Sequence, residues 1–177
     1  MKTTQYLFAG FGGQGILFAG KFAAYKGLIE SKQVSWLPSY GPEMRGGTAS
    51  CSVIIGDEPV GSPIVSNPDV LIAMNLPSLD RYEDAVVPGG MIFADSSLIE
   101  RQVRRSDVKT FYIPATRLAD ESGVGKLANM IIVGKILKET GEYNEDSVIA
   151  ALKKVVSAKH ADMLDINLKA IKIGFDN

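Results

Sequence analysis

Cysteine and histidine are almost missing from this chain, and their scarcity removes several chemistries at once. Its 177 residues hold one cysteine, Cys51, and one histidine, His160. A single thiol excludes an internal disulfide, and it excludes an iron–sulfur cluster or cysteine-rich zinc centre built by this chain alone. A single imidazole likewise excludes a His-rich metal site. Charge of one sign is lacking too. Nineteen Lys and Arg stand against 20 Asp and Glu, a net charge of −1, which gives no electrostatic reason to expect nucleic acid as a partner. Gly and Lys interrupt every apolar run before it reaches membrane-spanning length. The N-terminus also lacks the basic segment and cleavage site of an export signal. A cytoplasmic location with no membrane partner is the default expectation. No repeat and no low-complexity tract is present.

What remains is ordinary globular material rich in glycine: 46% hydrophobic, 22% charged, with 18 glycines. A chain of this length is expected to form one domain, 1–177, burying roughly two-thirds of its unfolded surface. Its organising stretch is Gly10-Phe11-Gly12-Gly13-Gln14-Gly15. The apolar run Tyr6–Ala9 before it reads as a buried strand, and Ile16–Ile29 after it reads as a helix. A glycine-dense turn between the two places backbone N–H groups at the positive end of a helix dipole, which suits an anion such as a phosphate.

Further strands are expected at Gln33–Leu37, where Pro38 stops the run, and at Thr48–Ile55. The latter alternates, with Ala49, Cys51, Val53 and Ile55 on one face. Val70–Met74 and Met91–Ala94 are continuous apolar runs, the pattern of strands buried on both faces. A last short strand is expected at Thr110–Ile113. Helices are expected over Leu76–Ala85, capped by Asn75, and over Ala115–Glu121, Lys126–Thr140, Glu145–Ser157 and Ala161 to about Gly174. Strands separated by helices predict an α/β fold, a three-layer α/β/α sandwich with a Rossmann-like first βα turn. Thr48–Ile55 follows its predecessor too closely for a helical crossover. It is therefore expected to be antiparallel, in a mixed, mostly parallel sheet.

The glycine spacing fits G-x-G-x-x-G, but a dinucleotide site also wants an acidic residue at the end of the second strand. That strand ends Leu37-Pro38-Ser39; the nearest carboxylates, Glu30 and Glu43, lie before it and beyond it. The glycines therefore serve either tight packing or a phosphate, a phosphopantetheine or a protein surface. Gly125-Lys126 fails as a P-loop, since Asp120 stands where the first glycine belongs and Leu127 where Ser or Thr is required. Cys51 reads as a small core residue, and His160 as a cap or surface residue at the start of the last helix. The basic residues Arg101, Arg104, Arg105 and Lys109 read as a solvated face or loop. Tyr40-Gly41-Pro42-Glu43-Met44-Arg45-Gly46-Gly47 is a polar loop of fixed backbone. Glu43 and Arg45 are placed there either to pair with each other or to meet a ligand or subunit, and Tyr40 to bury its ring.

The two glycine-rich segments in order, with Ala49, Val53, Pro68–Asn75, Gly89-Gly90, Asn129-Met130, Asn167 and Gly174, closely resemble the gamma subunit of the 2-oxoacid:ferredoxin oxidoreductases. The same unit forms domain III of pyruvate:ferredoxin oxidoreductase. The resemblance covers nearly the whole chain. It implies an accessory subunit, inactive alone, of a complex that oxidatively decarboxylates a 2-oxoacid with coenzyme A. The products are an acyl-CoA, CO2 and reduced ferredoxin. Thiamine diphosphate and [4Fe–4S] clusters would then reside in the alpha, beta and ferredoxin-like delta partner subunits. The short stand-alone chain is most similar to 2-oxoglutarate or branched-chain enzymes. On that reading Gly12, Gly13, Gln14, Gly15, Tyr40, Glu43 and Arg45 form a two-loop surface near coenzyme A, with Arg45 the favoured phosphate or carboxylate contact. Both loops meet if the first two strands are parallel neighbours. A purely structural docking subunit and a stand-alone NAD-dependent oxidoreductase are the alternatives.

Overall fold

The computed structural model describes residues 3–40 and 47–177. Its strands are β1 (Thr4–Phe11), β2 (Gln33–Tyr40), β3 (Thr48–Gly56), β4 (Val70–Ala73), β5 (Met91–Asp95) and β6 (Lys109–Ile113). They form one sheet in the order β2-β3-β1-β4-β5-β6. β1, β4, β5 and β6 pair in parallel, whereas β3 is antiparallel to both β1 and β2. The mixed α/β sheet expected from the short link before Thr48 is thus present. β4 and β5 have little choice of position. Val70, Leu71, Ile72, Ile92, Phe93 and Ala94 present apolar side chains on both faces, which only a central strand can bury.

Helices α1 (Ile16–Ile29), α3 (Ala115–Glu121), α4 (Ala128–Thr140), α5 (Glu145–Val155) and α6 (Asp162–Asp176) cover one face. The other face carries α2 (Leu76–Tyr82), a 3-10 turn over Glu83–Ala85, and apolar residues from the segments 57–69 and 96–108. β3 divides its residues accordingly, with Cys51 and Val53 under α1 and Ile54 on the opposite side. α4 and α6 cross at Gly134 and Gly174, where an added Cβ would overlap the Ile171 and Ile131 carbonyl oxygens. Among the described residues no helix is long and apolar enough to cross a membrane.

Two local expectations change. β2 does not stop at Leu37 but continues through Pro38 to Tyr40. It is the edge strand, where proline's missing N–H removes no ladder bond. The predicted helix Leu76–Ala85 becomes α2 and the 3-10 turn, with the Asn75 side chain accepting from the Ser78 N–H at 2.9 Å as its cap. The basic segment is a loop leading into β6, and Arg101 and Arg105 spend their charges on partners within the protein. Arg101 pairs with Asp80 and, at 2.6 Å, with the buried Glu83. Arg105 holds Asp107 at 2.6 Å and the Val86 carbonyl.

Candidate functional site

β1 and β2 both run opposite to β3, so their C-terminal ends lie at the same edge of the sheet. They are not neighbours, as the shared-surface argument assumed; β3 separates them, with Phe11 opposite Thr48 and Tyr40 opposite Ala49. The two segments meet all the same, because β3 begins between them. The Gly12 N–H donates to the Gly47 carbonyl at 2.9 Å, tying the glycine turn to the end of the second loop. Tyr40 does not bury its ring and is 57% exposed. Glu43 and Arg45 lie outside the described residues.

Within the turn, most polar groups are already committed. The Gln14 side chain folds inward: its Oε1 accepts from the Phe11 N–H at 2.7 Å, and its Nε2 donates to the Met74 carbonyl at 3.0 Å. The Gln14 backbone N–H donates to the Phe11 carbonyl. Gln14 and Gly12 therefore shape the turn, and their donors point into the protein. Gly15 enters α1 with φ of 72°, a left-handed conformation that glycine adopts without strain. The N–H groups of Gly13 and Gly15 have no hydrogen-bond partner among the described residues. They sit where the α1 dipole is positive.

A cation stands beside them. Lys126, just before α4, lines a shallow cavity of about 170 Å³ with Gly13, Gln14, Met74 and Ala128. Sequence reasoning met Lys126 in a failed P-loop and as the first residue of a helix, which begins instead at Ala128. Its placement follows from α4 packing under the same sheet edge, and no local spacing announces that. Two N–H groups, a helix N-terminus and an ammonium can hold an anion, and they offer binding rather than bond-making chemistry.

Other candidates fall away on geometry. Glu30 ends α1 at the opposite edge of the sheet, bonded to Lys26 at 2.6 Å and to Ser147 Oγ at 2.6 Å. α1 separates it from the glycine turn, so it is no partner for a ribose bound there. Cys51 is fully buried under α1, and burial pushes its thiol up to about 12. His160 ends a 3-10 turn, Ala158–His160, rather than opening α6. Asp95 is buried at the correct edge, but it accepts from Ser97 N, Thr116 N and Thr116 Oγ1. Among the described residues no group of three or more His, Cys, Asp or Glu is placed to hold a metal ion.

Residues 5–177 match the family model described as pyruvate ferredoxin/flavodoxin oxidoreductase. The ketoisovalerate oxidoreductase subunit VorA of Methanothermobacter marburgensis is 41% identical over 95% of the chain, which spans only 35% of that relative. The chain thus covers about a third of the length of that longer protein. The 2-oxoglutarate synthase subunit KorC of Methanocaldococcus jannaschii is 34% identical over 81% of the chain and 79% of its own length. Among solved structures, the gamma subunit of a keto/oxoacid ferredoxin oxidoreductase from Geobacter sulfurreducens superposes with a TM-score of 0.84 at 28% identity. That superposition covers 99% of this chain and 96% of the other. In Magnetococcus marinus the 2-oxoglutarate:ferredoxin oxidoreductase, solved with 2-oxoglutarate, coenzyme A and succinyl-CoA bound, contains the same fold. There the TM-score is 0.87 at 24% identity, over 99% of this chain and 31% of that one.

Proposed function

The chain belongs to the pyruvate ferredoxin/flavodoxin oxidoreductase family, and from that membership we propose that it is the accessory gamma-type subunit of a 2-oxoacid:ferredoxin oxidoreductase complex. The complex would convert a 2-oxoacid and coenzyme A to acyl-CoA and CO2, passing the electrons to ferredoxin. Thiamine diphosphate and the [4Fe–4S] clusters would be held by alpha, beta and delta partner subunits; one cysteine and one histidine fit that division of labour. The isolated chain is expected to be inactive. Among 2-oxoacids, 2-oxoglutarate is the reading we favour. Of the relatives matched over most of their own length, two named as 2-oxoglutarate synthase subunits are 34% and 36% identical, against 27% and 28% for two named as common gamma subunits of pyruvate/ketoisovalerate oxidoreductases.

The chain's contribution to the reaction would be a phosphate contact for coenzyme A at the sheet edge. The observation that carries this is that Gly13, whose N–H has no partner among the described residues, and Lys126 line one small cavity at the α1 N-terminus. Arg45, outside the described residues, is the further cation expected from sequence. Purification of the native complex should recover thiamine- and cluster-bearing partners. In that complex, Lys126→Ala is expected to raise the KM for coenzyme A about fivefold with kcat unchanged, the loss of one exposed charge contact. Arg45→Ala is expected to act in the same direction. Loss of assembly, with unchanged kinetics in whatever complex remains, would instead make the two loops a docking surface.

A further inference from the structure

At the edge of the sheet opposite the glycine turn, a cavity of about 270 Å³ lies between α1 and α4, over β1. α1, about 21 Å long for its 14 residues, separates the two places. The cavity walls are apolar: Phe22 and Ala23 from α1, Ile55 from β3, and Val133, Ile136 and Leu137 from α4. Ala23 and Ile55 are only partly buried, so the walls can be reached from outside. Four charged side chains line the same cavity, Lys26, Glu30, Lys32 and Glu142. Lys26 is the unusual one, only 5% exposed. Its ammonium carries three N–H donors and meets one acceptor among the described residues, Glu30 Oε1 at 2.6 Å. Even that oxygen is shared, since it also accepts from Ser147 Oγ at 2.6 Å. The Tyr6 hydroxyl donates to Glu142 Oε2 at 3.1 Å. The second oxygens of Glu30 and Glu142 take no donor from the described residues.

Each feature narrows the occupant. A buried ammonium with idle donors is destabilising until acceptors reach it, and a charged acceptor satisfies it best. Lys26 therefore calls for a carboxylate. Two ammonium and two carboxylate groups leave the lining without net charge, so it favours neither a bare anion nor a bare cation. The ligand that answers both signs is a zwitterion. Apolar walls call for an aliphatic body, and the volume, below the range usual for drug-sized ligands, limits it to a small one. We propose that this cavity binds an apolar α-amino acid of about the size of leucine. Its carboxylate meets Lys26, its ammonium meets Glu142, and its side chain lies against α4. This is a second site, and it does not rest on the coenzyme A contact proposed above.

The full-length chain, labelled with ¹⁵N, is titrated with L-leucine and with two analogues that each lack one of its charges. Isocaproate has no amino group, and isoamylamine has no carboxylate. Leucine is expected to shift the backbone amides of Gly27 and Glu142 saturably and to leave those of Gly13 and Gly15 in place, with each analogue at least tenfold weaker. Lys26→Met, which removes the ammonium and keeps most of the side chain, should weaken leucine at least tenfold. Ala23→Leu, which narrows the cavity from its partly buried wall, should do the same. Two variants keep the test valid if one fails to fold. Glu142→Gln is expected to weaken leucine and leave isocaproate unchanged, the signature of a lost ammonium contact. No saturable shift, the outcome if water alone meets the Lys26 donors, overturns the inference. So does isocaproate binding as tightly as leucine, which would make the cavity a simple carboxylate pocket, and so does a leucine affinity unmoved by Glu142→Gln.

Discussion

Gln14 shows why the glycine turn holds its shape without a ligand. Its one amide joins Phe11 at the end of β1 to Met74 after β4, two strands that are parallel neighbours. Gln14→Ala removes both bonds and leaves the Phe11 N–H and the Met74 carbonyl unmet. It is expected to lower stability by about 1–3 kcal/mol in urea unfolding, with no change in β-sheet content by circular dichroism. Nothing near Gln14 in sequence reveals this, because its partner Met74 arrives only when β4 pairs with β1. The glycines, by contrast, announce the turn locally.

Two buried acids, Tyr6 on β1 and Cys51 on β3, set an alkaline limit on stability. Burial raises the Cys51 thiol from its ordinary 9.0 to about 12. Burial, with the Glu142 carboxylate that the Tyr6 hydroxyl donates to, raises the Tyr6 phenol above its ordinary value of 10.0. In each case the folded state binds the proton more tightly than the unfolded state. Their contribution is therefore complete below about pH 9, and is lost as pH rises toward the folded values. Urea midpoints are expected to hold up to pH 9 and then fall, at most about 1.4 kcal/mol per pH unit for each group. A midpoint that stayed level to pH 11 would contradict the burial argument.

Elements differ in how much of themselves they display in sequence. α1 and α3 carry their bounds in the chain, and the Asn75 cap is local chemistry that any reading of Asn75-Leu76-Pro77-Ser78 supplies. Asn75→Ala is expected to cost about 1 kcal/mol. β2 was legible only as far as Pro38, since whether proline ends a strand depends on which strand is at the edge, and that is a property of the whole sheet. The Arg101–Glu83 pair is similarly nonlocal. It clamps the 96–108 segment onto the 3-10 turn, and Glu83 is 1% exposed. Arg101→Ala leaves that carboxylate buried with the Arg104 backbone N–H at 3.2 Å and the longer Arg104 side-chain contact at 3.4 Å, and about 3 kcal/mol of destabilisation is expected. Loss of less than 1 kcal/mol in urea unfolding would show that Arg104 substitutes fully.

At the scale of the molecule, the sequence made the α/β class and the antiparallel β3 legible, because link length alone limits how a strand can return. It did not disclose that β3 would separate β1 from β2, nor that one face of the sheet would carry five helices and the other mainly segments without regular structure. The candidate site follows the same division. Its glycines were legible, whereas Lys126 reaches it through the packing of α4. That asymmetry predicts how stability is distributed. β4 and β5 lie inside the sheet with their apolar residues buried apart from the half-buried Met91, whereas β2 is hydrogen-bonded on one side only and leaves Trp36, Leu37 and Tyr40 exposed. Opening β2 uncovers little new apolar surface, so it needs less than global unfolding. In hydrogen–deuterium exchange of the chain, peptides spanning Val70–Ala73 and Met91–Asp95 are expected to exchange last, at the rate of global unfolding. Peptides over Gln33–Tyr40 and residues 57–64 are expected to exchange well before them. If β2 peptides were as slow as those of β4, the edge would be part of the same cooperative unit as the centre, and the one-sided hydrogen bonding of β2 would not govern its opening.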